Sequence, residues 1–176
     1  MTAPALPAAE TYHAKGGGTP MAQKILITLD DSENALRSVA FVAKSFSTDN
    51  QVTLLNVMLD SATLCNMDSP ELIPLFKVQQ ASFCALEDKK RELVKAAMKQ
   101  AKEALVAAGF SPDSVTVKIQ DKKAGVARDI LTEAEKGYDL IVIGRRGMSG
   151  IKEFFMGSIS QKVLNGARDI SVLIVN

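Results

Sequence analysis

Short apolar runs and helical repeats alternate along the chain from Lys24 onward. The runs are rich in β-branched residues and predict five strands, at residues 25–29, 52–59, 115–119, 140–143 and 172–175. Apolar residues at helical spacing predict four helices, near residues 35–46 and 86–108, after Gly125, and at about 158–167. The segment 60–74 contains two prolines and scattered apolar residues. It is expected to be a loop or a short helical excursion.

This alternating order predicts an α/β fold with an open five-stranded parallel sheet and helices on both faces. Leu140–Ile143 has no polar member, as expected for a central strand, whereas the alternation in Val115–Ile119 indicates a strand near an edge. Ligands of such sheets bind beyond the carboxyl ends of the strands, where the strand order switches. Asp30 and Gly144 both follow such ends.

The last predicted strand, Val172–Val175, is apolar throughout. A final strand often lies at a sheet edge, and an apolar edge favours pairing with another chain. We therefore expect a homodimer through this strand; the alternative is that a loop or helix of the same chain covers it.

Composition limits the classes of function. A chain of 176 residues, 47% of them hydrophobic, is large enough for one core. The 21 basic residues nearly balance the 20 acidic ones, which argues against nucleic acid as a partner. No apolar run is long enough for a membrane span, and Cys65 and Cys84 lack zinc or redox spacing, so we expect a cytoplasmic protein with reduced thiols.

Residues 1–22 are rich in Ala, Pro, Thr and Gly and predict a flexible N-terminal extension, followed by one domain over 23–176. The extension is either native or precedes a native start at Met21. It contains His13, the single histidine of the chain. The predicted domain therefore has no histidine for a Ser-His-Asp triad or a histidine metal site.

Candidate chemistry concentrates between Gly144 and Ser160. Glycines allow positive φ and close approach of backbone N–H groups to phosphate, and the helix start at Gly157 and Ser158 favours an anion. The spacing fits neither a Walker A loop nor the dinucleotide motif. Of the two cations in this stretch, Arg145 and Arg146, at least one is expected to face phosphate, the alternative being two solvated side chains.

The chain resembles the ATP-binding subclass of the universal stress protein family. That subclass carries Gly-x-x-Gly, nine residues, then Gly-Ser/Thr, which matches Gly144, Gly147, Gly157 and Ser158. The resemblance spans roughly Lys24–Asn176 and includes Leu29-Asp30-Asp31-Ser32 and the region of Val57.

The resemblance implies a sheet in the order 3-2-1-4-5 with ATP, or another adenine nucleotide, at the ends of strands one and four, with Mg or Mn as the expected metal. Asp30 would contact the nucleoside and Val57 would offer backbone groups to adenine. The full set of expected binding residues is Leu29, Asp30, Val57, Gly144, Arg146, Gly147, Gly157, Ser158, Ile159 and Ser160. No protein ligand for the metal is predicted.

Two positions depart from the family pattern. Asp31 stands where glycine is common, and its charge would either weaken binding or hold a divalent ion; together with Ser32 it is also a candidate helix cap. Ile170-Ser171 replaces a proline that many relatives place before the final strand. Phe154 and Phe155 are expected to anchor the glycine-rich loop to the core or to the dimer surface.

Three functions remain open at this stage. The first is a nucleotide-dependent stress-response or signalling module with an unknown protein partner. The alternatives are a slow Mg-dependent ATPase or phosphotransferase and a nucleotide-independent interaction protein. Binding is favoured over catalysis because no dedicated base is evident.

Overall fold

The computed structural model describes residues 22–30, 33–58, 60–61, 65–66, 74–146 and 156–176. Within these ranges five strands and four helices alternate. The strands are β1 (Lys24–Thr28), β2 (Gln51–Met58), β3 (Val115–Asp121), β4 (Leu140–Gly144) and β5 (Ser171–Val175). The helices are α1 (Glu33–Ser45), α2 (Pro74–Ala107), α3 (Val126–Ala134) and α4 (Ser158–Gly166). The strands and helices predicted from the sequence are therefore present.

All five strands join one parallel sheet in the order β3-β2-β1-β4-β5. Ile25 of β1 pairs with Val52 of β2 on one side and with Leu140 of β4 on the other. The chain winds outward from β1 through β2 to β3, then crosses back to β4 beside β1. The predicted α/β fold and strand order are confirmed, with β3 at one edge, and the switch point lies between β1 and β4.

Apolar layers cover both faces of the sheet. Side chains of β1 alternate between them: Ile25 and Ile27 belong to the layer under α1 and α2, and Leu26 to the layer under α3 and α4. All three are fully buried. A run without polar residues is thus the expected composition for a strand that is covered on both sides.

The second helix begins earlier than its apolar pattern predicts. α2 has 34 residues and starts at Pro74, so the prediction of a start near Leu86 is wrong. Its buried apolar residues, Val94, Met98, Ala101 and Leu105, all lie in the carboxyl-terminal half. No described side chain of the first half is fully buried, so a buried apolar face does not mark this half in the sequence. None of the described helices, α2 included, is long and apolar enough to cross a lipid bilayer.

The two cysteines are bonded to each other, which contradicts the expectation of reduced thiols. Cys65 and Cys84 form a disulfide with their Cα atoms 5.7 Å apart. Cys65 follows β2 and Cys84 lies on α2, so the reversal of the chain after β2 brings them together. Their separation of 19 residues carries no recognisable motif, and the pairing depends on this tertiary arrangement.

Candidate nucleotide site

A cavity of about 300 Å³ opens at the carboxyl ends of β1, β2 and β4, at the switch point of the sheet. This volume is at the lower end of the range for small-molecule sites. The sheet contributes Thr28 and Leu55 to its floor, together with Ile143 at the end of β4. The remaining walls come from the segments that follow these strands and from α3 and α4.

Hydrogen bonds between β1 and β2 fix the first wall. The backbone N–H of Leu29 donates to the carbonyl of Leu55 at 2.8 Å, and Nδ2 of Asn56 donates to the carbonyl of Leu29 at 2.7 Å. Asn56 is buried, so this bond is shielded from water. Asp30 follows directly and lines the cavity beside Val57. The Asn56 carboxamide therefore positions the segment that carries the Asp30 carboxylate.

The opposite wall joins the end of β4 to the start of α4. The Ser160 hydroxyl donates to the carbonyl of Gly144 at 2.7 Å, and the N–H of Gly157 donates to the carbonyl of Arg145 at 2.9 Å. The N–H of Arg145 in turn donates to the carbonyl of Val175, the last residue of β5, at 2.6 Å. These bonds clamp both ends of the glycine-rich stretch, whose central residues 147–155 lie outside the described residues.

Close packing explains the glycine at position 157. A Cβ there would lie 3.3 Å from the carbonyl oxygen of Arg145 and 3.4 Å from Cα of Arg146. Its φ of −67° is accessible to any residue, so close packing and not conformation favours glycine. Gly144 also departs from the expectation of positive φ, because it ends β4 in register with Val175.

The start of α4 faces the cavity. Gly157, Ser158, Ile159 and Ser160 all line it, and no side chain caps the first turn. The first N–H groups of a helix have no intrahelical acceptor and lie at the positive end of its dipole. This arrangement suits an anionic group such as phosphate.

Helix α3 forms an apolar wall through Val126 and Ile130. Asp129, on the same helix, is buried and accepts hydrogen bonds from the backbone N–H groups of Lys123 at 2.7 Å and Ala124 at 3.0 Å. Burial alone raises the pKa of Asp129, but the backbone hydrogen bonds from residues 123–125 outweigh it, and the net pKa is lowered. The ionised carboxylate thus holds the loop that leads into the cavity wall.

A model of the universal stress protein family matches residues 21–176. The chain belongs to this family. Over 38 residues it is 58% identical to universal stress protein YxiE of Bacillus subtilis (strain 168), a match that spans 21% of this chain and 26% of that relative's length.

Solved structures share the whole fold. The hypothetical protein MJ0577 is 27% identical, with a TM-score of 0.63 over 88% of this chain and 96% of that one. A universal stress protein solved in complex with cAMP is 17% identical, with a TM-score of 0.55 over 88% of this chain and 97% of that one. The second likeness shows the fold alone. The α/β architecture around the cavity is therefore that of universal stress proteins.

The structure gathers most of the residues predicted to bind a nucleotide. Nine of them line the cavity: Leu29, Asp30, Val57, Gly144, Arg146, Gly157, Ser158, Ile159 and Ser160. Gly147 lies outside the described residues, as do Asp31, Ser32 and the two phenylalanines of the loop. Arg146 lines the cavity, whereas Arg145 contributes its backbone to the clamp beside it.

Several cavity residues were not identified from the sequence. Val126 and Ile130 read as ordinary members of an apolar helix face, and Thr28 and Asn56 as parts of strands. Only the packing of α3 over the switch point shows that two of its apolar residues face a cavity. In the described part of the wall, Asp30 and Arg146 are the charged residues. No group of three His, Cys, Asp or Glu side chains that could hold a metal occurs among the described residues.

Proposed function

We propose that this universal stress protein binds ATP, or another adenine nucleotide, in the cavity between β1 and β4 and acts in the cytoplasm as a nucleotide-dependent stress-response or signalling module. The supporting observation is the start of α4, where backbone N–H groups without intrahelical acceptors line a cavity that also has apolar walls. Residues 23–176 are the proposed functional unit.

The two kinds of wall suit the two parts of a nucleotide. The flat face of the adenine base fits against Val126 and Ile130, and the backbone of Val57 is available for hydrogen bonds to the edge of the base. Asp30 is placed to accept hydrogen bonds from the ribose. Phosphates fit at the helix start, where Ser158 is exposed and Arg146 brings a cation.

Ser160 has a different proposed role from Ser158. Its hydroxyl proton is engaged by the Gly144 carbonyl, and the side chain is buried. In this arrangement the hydroxyl braces the turn and cannot also donate to phosphate. We therefore assign the phosphate contact to Ser158, and Mg or Mn would be bound through the phosphates. The cAMP complex of a protein with the same fold is consistent with an adenine nucleotide here.

Calorimetry with paired ligands tests this assignment. Ser158→Asp adds a negative charge at the start of α4, which favours the helix but repels phosphate. We expect the affinity for ATP with Mg to fall about tenfold or more, which is ~1.4 kcal/mol, while the affinity for uncharged adenosine stays within about twofold.

A matched control is Ser111→Asp. Ser111 is exposed and precedes β3, at the end of the sheet away from the cavity, so both affinities should match the wild type. Equal loss of ATP and adenosine affinity in Ser158→Asp would contradict the placement of the phosphates. Absence of ATP binding in the wild type would contradict the proposed function itself.

Slow ATP hydrolysis or phosphotransfer is the second candidate, because the Asp30 carboxylate lies at the same cavity and could orient a water molecule. Phosphate release that persists through purification and is lost in Asp30→Ala would support it. Release equal in the two proteins would assign the activity to a contaminant. Binding of a protein partner without nucleotide is the remaining alternative.

We also propose a homodimer through β5. Residues 172–175 are apolar and only half-buried, and β5 is the last strand at its edge of the sheet. Phe41 of α1 and Leu164 of α4 are exposed apolar side chains on helices that cover opposite faces of the sheet. Pairing with a second copy would cover the open edge of β5.

A further inference from the structure

We propose that Cys65 and Cys84 form a reversible thiol–disulfide exchange site whose oxidation state controls the order of the first half of α2. The reversibility of this bond rests on the proposed cytoplasmic location, because disulfides in a reducing compartment are usually transient or redox-sensing.

The fully buried residues of this helix lie in its second half. Val94, Met98, Ala101 and Leu105 are at most 2% exposed. Of the described side chains from Pro74 to Leu93, none is fully buried: Phe76 is half-buried, Phe83 is 37% exposed, and Val78, Leu86 and Leu93 are 64%, 64% and 60% exposed. The hydrophobic effect therefore contributes less to the order of the first half than to that of the second.

The first turn of α2 has no acidic residue to interact with the helix dipole. In proteins most of the stability of a helix comes from the packing of its apolar face, so a half without fully buried side chains is less stable than the packed half. The ion pair between Arg91 and Asp121, at 2.8 Å, is partly exposed and lies where the packed half begins. Exposed pairs of this kind contribute about 1 kcal/mol at most.

The disulfide attaches this segment near its middle. Cys84 lies ten residues after Pro74, the first residue of α2. Its partner, Cys65, donates its backbone N–H to the carbonyl of Ser61 at 2.9 Å, in a turn that follows β2. The S–S bond thus links the first half of α2 to the segment between β2 and α2. Breaking it removes a covalent constraint from a half-helix that has no fully buried side chain among those described.

Both cysteines are partly exposed, so a small thiol can reach them. A glutathione thiolate attacks one sulfur atom, forms a mixed disulfide and releases the other cysteine as a thiolate, which takes up a proton. A second glutathione thiolate attacks the mixed disulfide, yielding oxidised glutathione and the second cysteine thiol. Two electrons pass from two glutathione molecules to the Cys65–Cys84 pair, and oxidised glutathione reverses the reaction.

Hydrogen exchange followed by mass spectrometry tests the proposal on the full chain. The protein is equilibrated in glutathione buffers that range from an excess of the oxidised to an excess of the reduced form. We expect the disulfide to convert within this range and peptides from residues 74–91 to exchange about tenfold faster or more when it is reduced. Peptides from residues 94–105 should change by less than about twofold, since their burial does not depend on the bond.

Cys65→Ser and Cys84→Ser provide the controls. Each should show fast exchange over residues 74–91 in every buffer, with no redox dependence. Equal exchange in oxidised and reduced wild type would overturn the proposal. A disulfide that survives excess reduced glutathione, or a reduction that speeds exchange throughout the sheet, would also overturn it by indicating a structural bond. Nucleotide affinity is not part of this readout, so failure would leave the proposed function untouched.

Discussion

The buried carboxylate of Asp129 provides a quantitative test of how the cavity wall is held. Only 7% of the residue is exposed, and its oxygens accept backbone hydrogen bonds of 2.7 and 3.0 Å from Lys123 and Ala124. Asp129→Asn preserves the size but replaces one acceptor by an NH2 group that faces an N–H donor. Hydrogen bonds to charged groups contribute ~1.5–3 kcal/mol, and an unsatisfied buried donor adds a similar cost. We expect the variant to lose about 3 kcal/mol of unfolding free energy at pH 7.

The dependence on pH separates the charge from the shape of this side chain. Because the pKa of Asp129 is lower in the folded protein than its ordinary 3.8, its contribution to stability is complete well above that value. It is lost as the pH falls through the folded pKa. The difference between wild type and Asp129→Asn should therefore be constant from about pH 6 to 8 and shrink below about pH 4.

Urea denaturation gives both the loss of unfolding free energy and its dependence on pH. Far-UV circular dichroism is the probe, because the chain has no tryptophan for fluorescence. Glu135→Gln is the control: it removes a charge from an exposed residue just after α3 and should change stability by less than about 0.5 kcal/mol. A loss below about 1 kcal/mol at pH 7, or a difference that does not change with pH, would refute the role assigned to the ionised carboxylate.

Three further predictions concern the core, the buried carboxylate of Glu133 and the edge strand β5. Leu105→Ala should cost about 3 kcal/mol of unfolding free energy in urea, because Leu105 is fully buried. Leu164→Ala, at a 42% exposed site, should cost under 1 kcal/mol. Equal losses would contradict the core assignment. Glu133→Gln should cost about 2 kcal/mol in the same assay, since the buried carboxylate accepts hydrogen bonds from Lys118 and Lys136. An unchanged unfolding free energy would show that these bonds make no net contribution to stability. Ile174→Asp should convert the proposed dimer to a monomer in size-exclusion chromatography with light scattering, and a variant that stays dimeric would place the interface elsewhere.

Strands and their order were accessible from the sequence because their determinants are local or shared by the family. The centre of β1, Ile25–Ile27, and the whole of β4 have no polar side chain, and central parallel strands need that composition. β3 alternates in sequence and is less covered than β1, since Thr116 and Val117 are both exposed. The resemblance then supplied the order in which the strands are neighbours.

The features that sequence reasoning missed depend on tertiary context. The first half of α2 is helical although none of its described side chains is fully buried, so a buried apolar face does not mark it in the sequence. Cys65 and Cys84 meet only because the chain reverses after β2. Gly157 was recognised as important, but the physical reason is its contact with the backbone of Arg145 and Arg146.

The cavity residues also fall into two groups, those that the sequence marks and those that only the tertiary structure reveals. Positions at the ends of strands and in the glycine motif could be predicted because a motif or a strand end marks them. Val126 and Ile130 could not, since an apolar residue that faces a cavity and one that faces the core are the same in sequence. The wall they form is a consequence of how α3 packs over β2.

Nuclear magnetic resonance of the ¹⁵N-labelled protein, titrated with ATP and Mg, tests the central proposal most directly because it reports both binding and place. We predict saturable shifts of backbone amide signals at the cavity, above all those of Asp30, Val57, Gly144, Gly157 and Ser158. The amides of Gly137 and Arg168, in a second groove between the ends of α3 and α4, should stay unshifted. Shifts concentrated in that groove, or none at millimolar ATP, would contradict the account.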